Sequence, residues 1–447
     1  MKYLVPQEEV KVYETVFGAD DLLSRKSTSI ALSELVERIE DPLVIALDGP
    51  WGSGKSYFLK RWVAAHGIEN KGRSTTVYFD AFEHDYLDDP LVGLVGVISE
   101  RFEKVMPNSI KIWRDGKRIV ASLLRPAIRI SAAVATASIS EIAVPAIDGL
   151  LSASKSEADK AIENFWKGEE GKRAAMSAFR KVLCDVTSAD AEGSEPKKII
   201  VVVDELDRCR PDYALSLLET IKHFFTVPNI HFVLGINLQE MENIVRQRYG
   251  LNSSARAYLQ KFITLNISLP NELITDETTD LRSTYMKGMA RKMDLPLALV
   301  DFVALFVCQL PPSCASLRNV DRLLTEIAII PNRKRYGDNI SGYTVVIAAA
   351  LVLRNTNSEL FLRACKDAIT FDEVKDFFSL NFKHEAVNQS DRDVNISFVA
   401  LATMMDANVL EGIGELFVET KKSYFGTNSL PTFKSIISGH LEVIKLT

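Results

Sequence analysis

Glycines, a lysine and a serine at fixed spacing carry the first chemistry in this chain. Gly49-Pro50-Trp51-Gly52-Ser53-Gly54-Lys55-Ser56 fits the pattern G-x-x-x-x-G-K-[ST] in full. Glycines let the backbone curl until successive N–H groups point inward at phosphate oxygens. A helix starting at the end of such a loop adds the partial positive charge of its N-terminus. Lysine at this place reaches the β- and γ-phosphates, and the serine hydroxyl sits on Mg²⁺. The spacing predicts a cradle for a nucleoside triphosphate built from Gly49, Pro50, Trp51, Gly52, Ser53, Gly54, Lys55, Ser56 and Tyr57, with Ser56 as a metal ligand.

A second constellation follows Lys197 and Lys198. Ile199-Ile200-Val201-Val202-Val203 reads as a strand buried on both faces, and it ends in Asp204 and Glu205. Ligands gather at the carboxyl ends of parallel strands. Asp204 is expected to hold Mg²⁺ through its water shell and Glu205 to polarise the attacking water. Asp207, two residues on, is positioned to share the role of general base.

These groups need elements to hold them. Leu43–Asp48 reads as a buried strand before the loop, and 57–65 as the helix after it. Further strands are expected at Thr75–Asp80 and Ile230–Asn237, and helices at Ser27–Glu40, Pro90–Val105, within Ser152–Asp190, and at Asp212–Phe225. Asp80, Glu83, His84 and Asp85 form either a polar turn or a cluster touching metal, water or a neighbouring subunit. From Glu272 onward the pattern is helical. Tyr343–Leu353 is too short to span a membrane and reads as a buried core helix, and Asp391-Arg392-Asp393 reads as a solvated turn. The predicted fold class is α/β. A parallel-sheet core (42–270) carries a helical insertion (106–195) between the two motifs. A lead segment (1–41) precedes the core, and a helical lid (271–335) and a C-terminal helical domain (336–447) follow it.

The composition suits a soluble globular enzyme: 447 residues, 47% hydrophobic and 25% charged. The formal charge of −6 counts against nucleic-acid binding as the dominant activity, leaving a local basic patch open. The five cysteines show no paired metal spacing and are expected to be reduced and mostly buried. The N-terminus has no signal-peptide apolar region, which implies a cytoplasmic setting. Residues 119–151 are rich in Ala, Ile, Ser and Val, and Ile130–Ile147 holds only one charge, Glu141. That stretch reads either as a buried or interfacial hairpin or as a contact with the inner membrane.

Asp204-Glu205-Leu206-Asp207-Arg208-Cys209, with the run from Pro211 to Lys222, resembles the D-[DE]-L-D-R-C signature of the KAP family of P-loop NTPases. The loop Gly49–Lys55 is similar to that family's G-x-W-G-x-G-K, and Tyr78-Phe79-Asp80-Ala81-Phe82 to its aromatic strand, where Asn and Trp are commoner than Asp80 and Phe82. Tyr258–Ile263, running on to Pro270, resembles the segment that closes its core. The resemblance runs from about Leu22 to about Leu324. It implies ATP as the nucleotide, and no GTP-reading N-K-x-D motif occurs. It implies a sensor role for Asn237 and a lid arginine within Ser316–Leu324, Arg318 first and Arg322 second. Arg208 is either a finger reaching across an interface or an anchor for Asp207. Arg25 stands in a lead segment that packs near adenine in related ATPases, or is a solvated charge at a helix start. The resemblance also raises the membrane reading of 119–151 and brings in phage exclusion. The expected activity is Mg-dependent ATP hydrolysis driving a switch or assembly. The partner is expected to be a second copy of the chain or another protein. The alternatives are a membrane-associated ATPase that organises a complex and a nucleic-acid-stimulated ATPase.

Overall fold

The computed structural model describes residues 4–6, 9–105, 169–188, 198–224, 227–250, 254–270, 272–274, 278–311, 314–330, 342–366, 368–381 and 389–405. Four runs rich in apolar and β-branched residues and one short alternating segment pair into a parallel five-stranded sheet. The strands are β1 (Leu43–Asp48), β2 (Thr75–Asp80), β3 (Ile199–Asp204), β4 (Ile230–Ile236) and β5 (Leu265–Ser268), in the order β2-β3-β4-β1-β5. Every residue of β3 and β4 is buried, as central strands covered on both faces require.

Side chains alternate across the sheet. Val201 and Val203 enter one core with Phe79, Leu94 and Leu217, while Ile200 and Val202 enter the other with Ile45, Phe58 and Trp62. Helices α1 (Lys26–Arg38) and α2 (Lys55–Ile68) cover the second face. Helices α3 (Pro90–Val105), α4 (Glu169–Thr187), α5 (Pro211–Lys222), α6 (Leu238–Tyr249) and α7 (Ala255–Leu259) cover the first. Parallel pairing brings all carboxyl ends to one edge. There Asp80 stands opposite Asp204, Asp204 opposite Gly235, and Asp48 opposite Ile236.

The lead segment is fastened across the second face. Tyr78 N–H donates to the Tyr13 hydroxyl at 2.8 Å, and the Arg101 guanidinium lies 3.5 Å from the Tyr13 ring centroid. Arg61 donates to the Val16 carbonyl at 3.1 Å and pairs with Asp20. Between α1 and α2, Ser33 Oγ lies 2.9 Å from His66 Nδ1, and His66 Nε2 lies 3.0 Å from Glu37 Oε1. The sequence of groups is that of a nucleophile relay, but Ser33 and His66 are buried and Ser33 also accepts N–H bonds from Trp62 and Asn70. It is a structural network.

Beyond the sheet, the described residues form a hairpin, β6 (Glu272–Ile274) and β7 (Thr278–Asp280), and seven helices. They are α8 (Leu281–Met293), α9 (Leu297–Gln309), α10 (Leu317–Ile329), α11 (Gly342–Thr356), α12 (Ser358–Cys365), α13 (Phe371–Phe377) and α14 (Gln389–Met405). They share a third core, in which Val345–Leu353 of α11 is wholly buried. The hairpin was not expected, because three-residue strands are too short to show a period. Asp391 is buried in the first turn of α14 and not in a solvated turn. An acid there suits the positive end of a helix. Of the cysteines only Cys209 is buried. Cys184, Cys308 and Cys365 are half-buried and Cys314 is exposed, and all are free thiols. The 119–151 segment and most of the 106–195 insertion lie outside the described residues. Among the described residues, no helix is long and apolar enough to cross a membrane.

Candidate functional site

β1 delivers the chain to the edge where the strand ends meet, and the 49–56 loop turns it into α2. Gly52 and Gly54 take φ of +80° and +87°, a region that favours glycine. The loop is held at its base by Gly49 N–H donating to the Ile236 carbonyl at 3.2 Å. Asp48 accepts the Leu238 N–H at 2.9 Å, which ties β1 to the start of α6. Gly54 is the residue before α2, so the loop's last amides and the helix's positive end face the same space.

Lys55 is buried, and its Nζ donates to the carbonyls of Gly49 (2.5 Å) and Pro50 (3.3 Å). Burial pulls its pKa below the ordinary lysine value, against the opposing charges of Asp207, Asp204 and Asp48. Ser56 Oγ donates to Glu205 Oε1 at 3.4 Å, so the loop and the acidic end of β3 are in direct contact. Tyr57, half-buried, carries the Arg61 guanidinium 4.5 Å from its ring centroid.

Asp204 is almost wholly enclosed, and burial pushes its pKa up to about 6 against hydrogen bonds that favour the anion. Its Oδ2 accepts from the Tyr78 hydroxyl at 2.7 Å and its Oδ1 from the Glu205 N–H at 2.9 Å. Glu205 occupies a left-handed backbone conformation (φ 58°, ψ 24°), which a non-glycine residue holds at a free-energy cost and which turns its side chain toward Ser56. Arg208 Nη1 lies 2.8 Å from Glu205 Oε1, so this arginine is engaged within its own chain. Asp207 is buried and accepts the Trp51 indole N–H at 2.6 Å.

Asn237 stands at the end of β4, half-buried, and caps α6 by accepting the Gln239 N–H at 3.1 Å. Arg318 lies in the first turn of α10, with an exposed side chain whose Cβ abuts Gly52; Arg322 is exposed one turn on. The contact between loop and helix is direct, for Leu317 N–H donates to the Gly52 carbonyl at 3.1 Å. Asp80, Glu83 and His84 form a turn: Asp80 Oδ1 accepts the Glu83 N–H (3.1 Å), and His84 Nδ1 lies 2.9 Å from the Asp80 carbonyl. Asp85 is held by Arg210.

Arg25 is buried, 2% exposed, and is not a solvated helix-start charge. Desolvation lowers its pKa to about 10. It lines a cleft with Leu23, Pro50, Ser53, Arg282 and Leu317, and its Nε and Nη1 have no hydrogen-bond partner among the described residues. Two further contributors had little sequence signal: Tyr78, noticed only as part of an aromatic strand, and Gly235. A Cβ at Gly235 would lie 2.7 Å from Asp204 Oδ1, so glycine leaves the room in which Asp204 sits.

Among solved structures, the Aeropyrum pernix ORC2 protein in its ADPNP–ADP complexes is 11% identical, with 96% of this chain and 88% of that one covered and a TM-score of 0.35. AMPPCP-bound DnaA from Aquifex aeolicus is 9% identical over 94% and 89%, with a TM-score of 0.32. A variant of RuvB from Thermotoga maritima is 11% identical over 90% and 92%, with a TM-score of 0.29. At such scores these likenesses carry no argument of their own. No curated protein matches the chain. The model of the KAP family P-loop domain matches residues 25–333, well over half of the length, and with the loop, the acidic strand end and the parallel sheet in place the chain belongs to the KAP family of P-loop NTPases.

Proposed function

We propose that this P-loop NTPase binds ATP with Mg²⁺ and hydrolyses its γ-phosphate, and that the bound nucleotide acts as a switch controlling assembly of the chain or release of a protein partner. The observation that carries the reading is the meeting of Lys55 and Ser56 with Asp204 and Glu205 at one sheet edge, closed by the Ser56–Glu205 hydrogen bond. ATP in preference to GTP rests on the family resemblance and on the lack of N-K-x-D, and competition between the two nucleotides tests it.

The donor set fits magnesium. A serine hydroxyl and a buried carboxylate whose pKa is raised by desolvation are hard oxygen donors that a divalent cation would satisfy. When bound, magnesium neutralises charge on the β- and γ-phosphate oxygens. Ser56 and Asp204 would hold it.

Lys55 exchanges the Gly49 and Pro50 carbonyls for phosphate oxygens. Glu205 takes the proton of the attacking water as its oxygen bonds to phosphorus and the bond to the leaving ADP oxygen breaks. Asn237 orients that water, and Arg318 meets the γ-phosphate from the lid. Arg25, whose buried Nε and Nη1 have no hydrogen-bond partner among the described residues, favours a ligand bearing acceptors and faces the base and sugar. Lys55→Ala is expected to abolish ATP binding in calorimetry. Glu205→Gln should bind normally and release phosphate on the order of 10²-fold more slowly or worse. Normal turnover by that variant would transfer the base to Asp207. Light scattering of Glu205→Gln with ATP and then ADP tests the switch. A defined oligomer with ATP alone is expected, and an unchanged mass would count against self-assembly.

A further inference from the structure

Trp51 is the largest side chain of its loop. The indole is 43% exposed, so burial of apolar area accounts poorly for so large a side chain among glycines, proline and serine. What distinguishes it is one N–H, and that N–H donates to Asp207 Oδ2 at 2.6 Å, across 156 residues of sequence. Asp207 is only 6% exposed. Lys55 Nζ, for its part, donates to the carbonyls of Gly49 and Pro50 in the same loop that carries Trp51. Indole N–H and ammonium thus belong to one loop, and the carboxylate comes to it from the other.

We propose that Trp51 is a positioning residue, whose indole N–H holds the Asp207 carboxylate against the phosphate loop that carries Lys55 and so ties that loop to the loop after β3. The inference rests on the NTPase reading above and deepens it. Lys55 must leave its loop carbonyls for phosphate. A carboxylate held by the indole supports the ammonium charge at a distance. Released from the indole, the same carboxylate is free to close on Lys55 as an ion pair and compete with phosphate for it. Trp51 then acts through Asp207, and its influence depends on the charge of Asp207.

That dependence sets the test. Mg-ATP affinity is measured by calorimetry for the full chain and for Trp51→Phe, Asp207→Asn and the double variant. Circular dichroism and melting confirm that each is folded; the exposed position of Trp51 favours folding of its phenylalanine variant. Trp51→Phe, which keeps a ring and loses the N–H, should weaken binding about tenfold, as expected for loss of a charge-assisted hydrogen bond. In the Asp207→Asn background, where no charge is left to misplace, the same change should alter affinity less than about twofold. An equal loss in both backgrounds would show Trp51 acting on the nucleotide directly and overturn the proposal, as would no loss in either. If the unaltered chain binds no nucleoside triphosphate, the NTPase reading fails instead. The tie is then judged by indole fluorescence without nucleotide: Asp207→Asn should shift the emission of the wild-type chain and not that of Trp51→Phe. Identical shifts in both would sink it.

Discussion

Asp204 shows how much of the site depends on single neighbours. A carboxylate buried this deeply keeps its place because Tyr78 and the Glu205 amide satisfy its oxygens and Gly235 leaves it space. Gly235→Ala is expected to crowd both Leu59 and Asp204, destabilising the chain by roughly 1–3 kcal/mol in denaturant unfolding. It should reduce Mg-dependent phosphate release more than nucleotide binding. Lys55, Ser56, Asp204 and Glu205 were legible in the sequence because each lies in a short local motif whose spacing encodes its chemistry. Tyr78 and Gly235 were not, since their importance comes from register between strands. The burial of Arg25 was equally invisible, because the groups enclosing it come from the P-loop and from segments more than 250 residues away. Asn237 was legible as a polar strand end, and the structure adds that its side chain caps α6.

Among elements, α10 controls the loop most directly. Its cap, Ser316, accepts the Asn319 N–H, and the next residue donates to Gly52. Ser316→Ala is expected to cost about 1 kcal/mol, seen as a lower melting temperature. It should also weaken nucleotide binding, because the helix start rests on the loop. A larger effect is expected of Gly52→Ala. The new Cβ would lie 2.9 Å from both Arg318 Cβ and Ser316 Oγ at a φ that alanine resists. Melting and calorimetry on the same sample separate the two effects. The four long strands and the helices α1 to α5 and α11 were legible, because apolar runs of six or seven residues and a helical period outlast local noise; α6 and α7 were not, and the other C-terminal helices showed only as a general helical pattern. β5 was missed as a strand since it sits at a sheet edge, half-buried in alternation, with only Leu265 and Ile267 turned inward.

At the scale of the whole molecule, two buried histidines link stability to pH. His231 in β4 and His66 in α2 are fully enclosed, and burial lowers both pKa values, that of His231 to about 4. The unfolded chain takes up these protons near pH 6.5, before the folded chain does. Stability is therefore full above that value and is lost as pH falls from about 6.5 through about 4. Urea unfolding at a series of pH values should show this decline, and His231→Phe should remove part of it; an unchanged slope would exclude His231 as a contributor. Assembly of the molecule carries a constraint of its own. The phosphate loop leaves the ribosome well before its partners: β1 has no β5 beside it until residue 268 has been made, and Gly52 has no α10 to bond until residue 317 follows. Domains fold as units during synthesis, the N-terminal first. Here the phosphate loop is translated more than 200 residues ahead of groups that complete its surroundings. Nascent chains stalled before α10 emerges are expected to crosslink poorly to a photoreactive nucleotide, and those stalled beyond it to crosslink well.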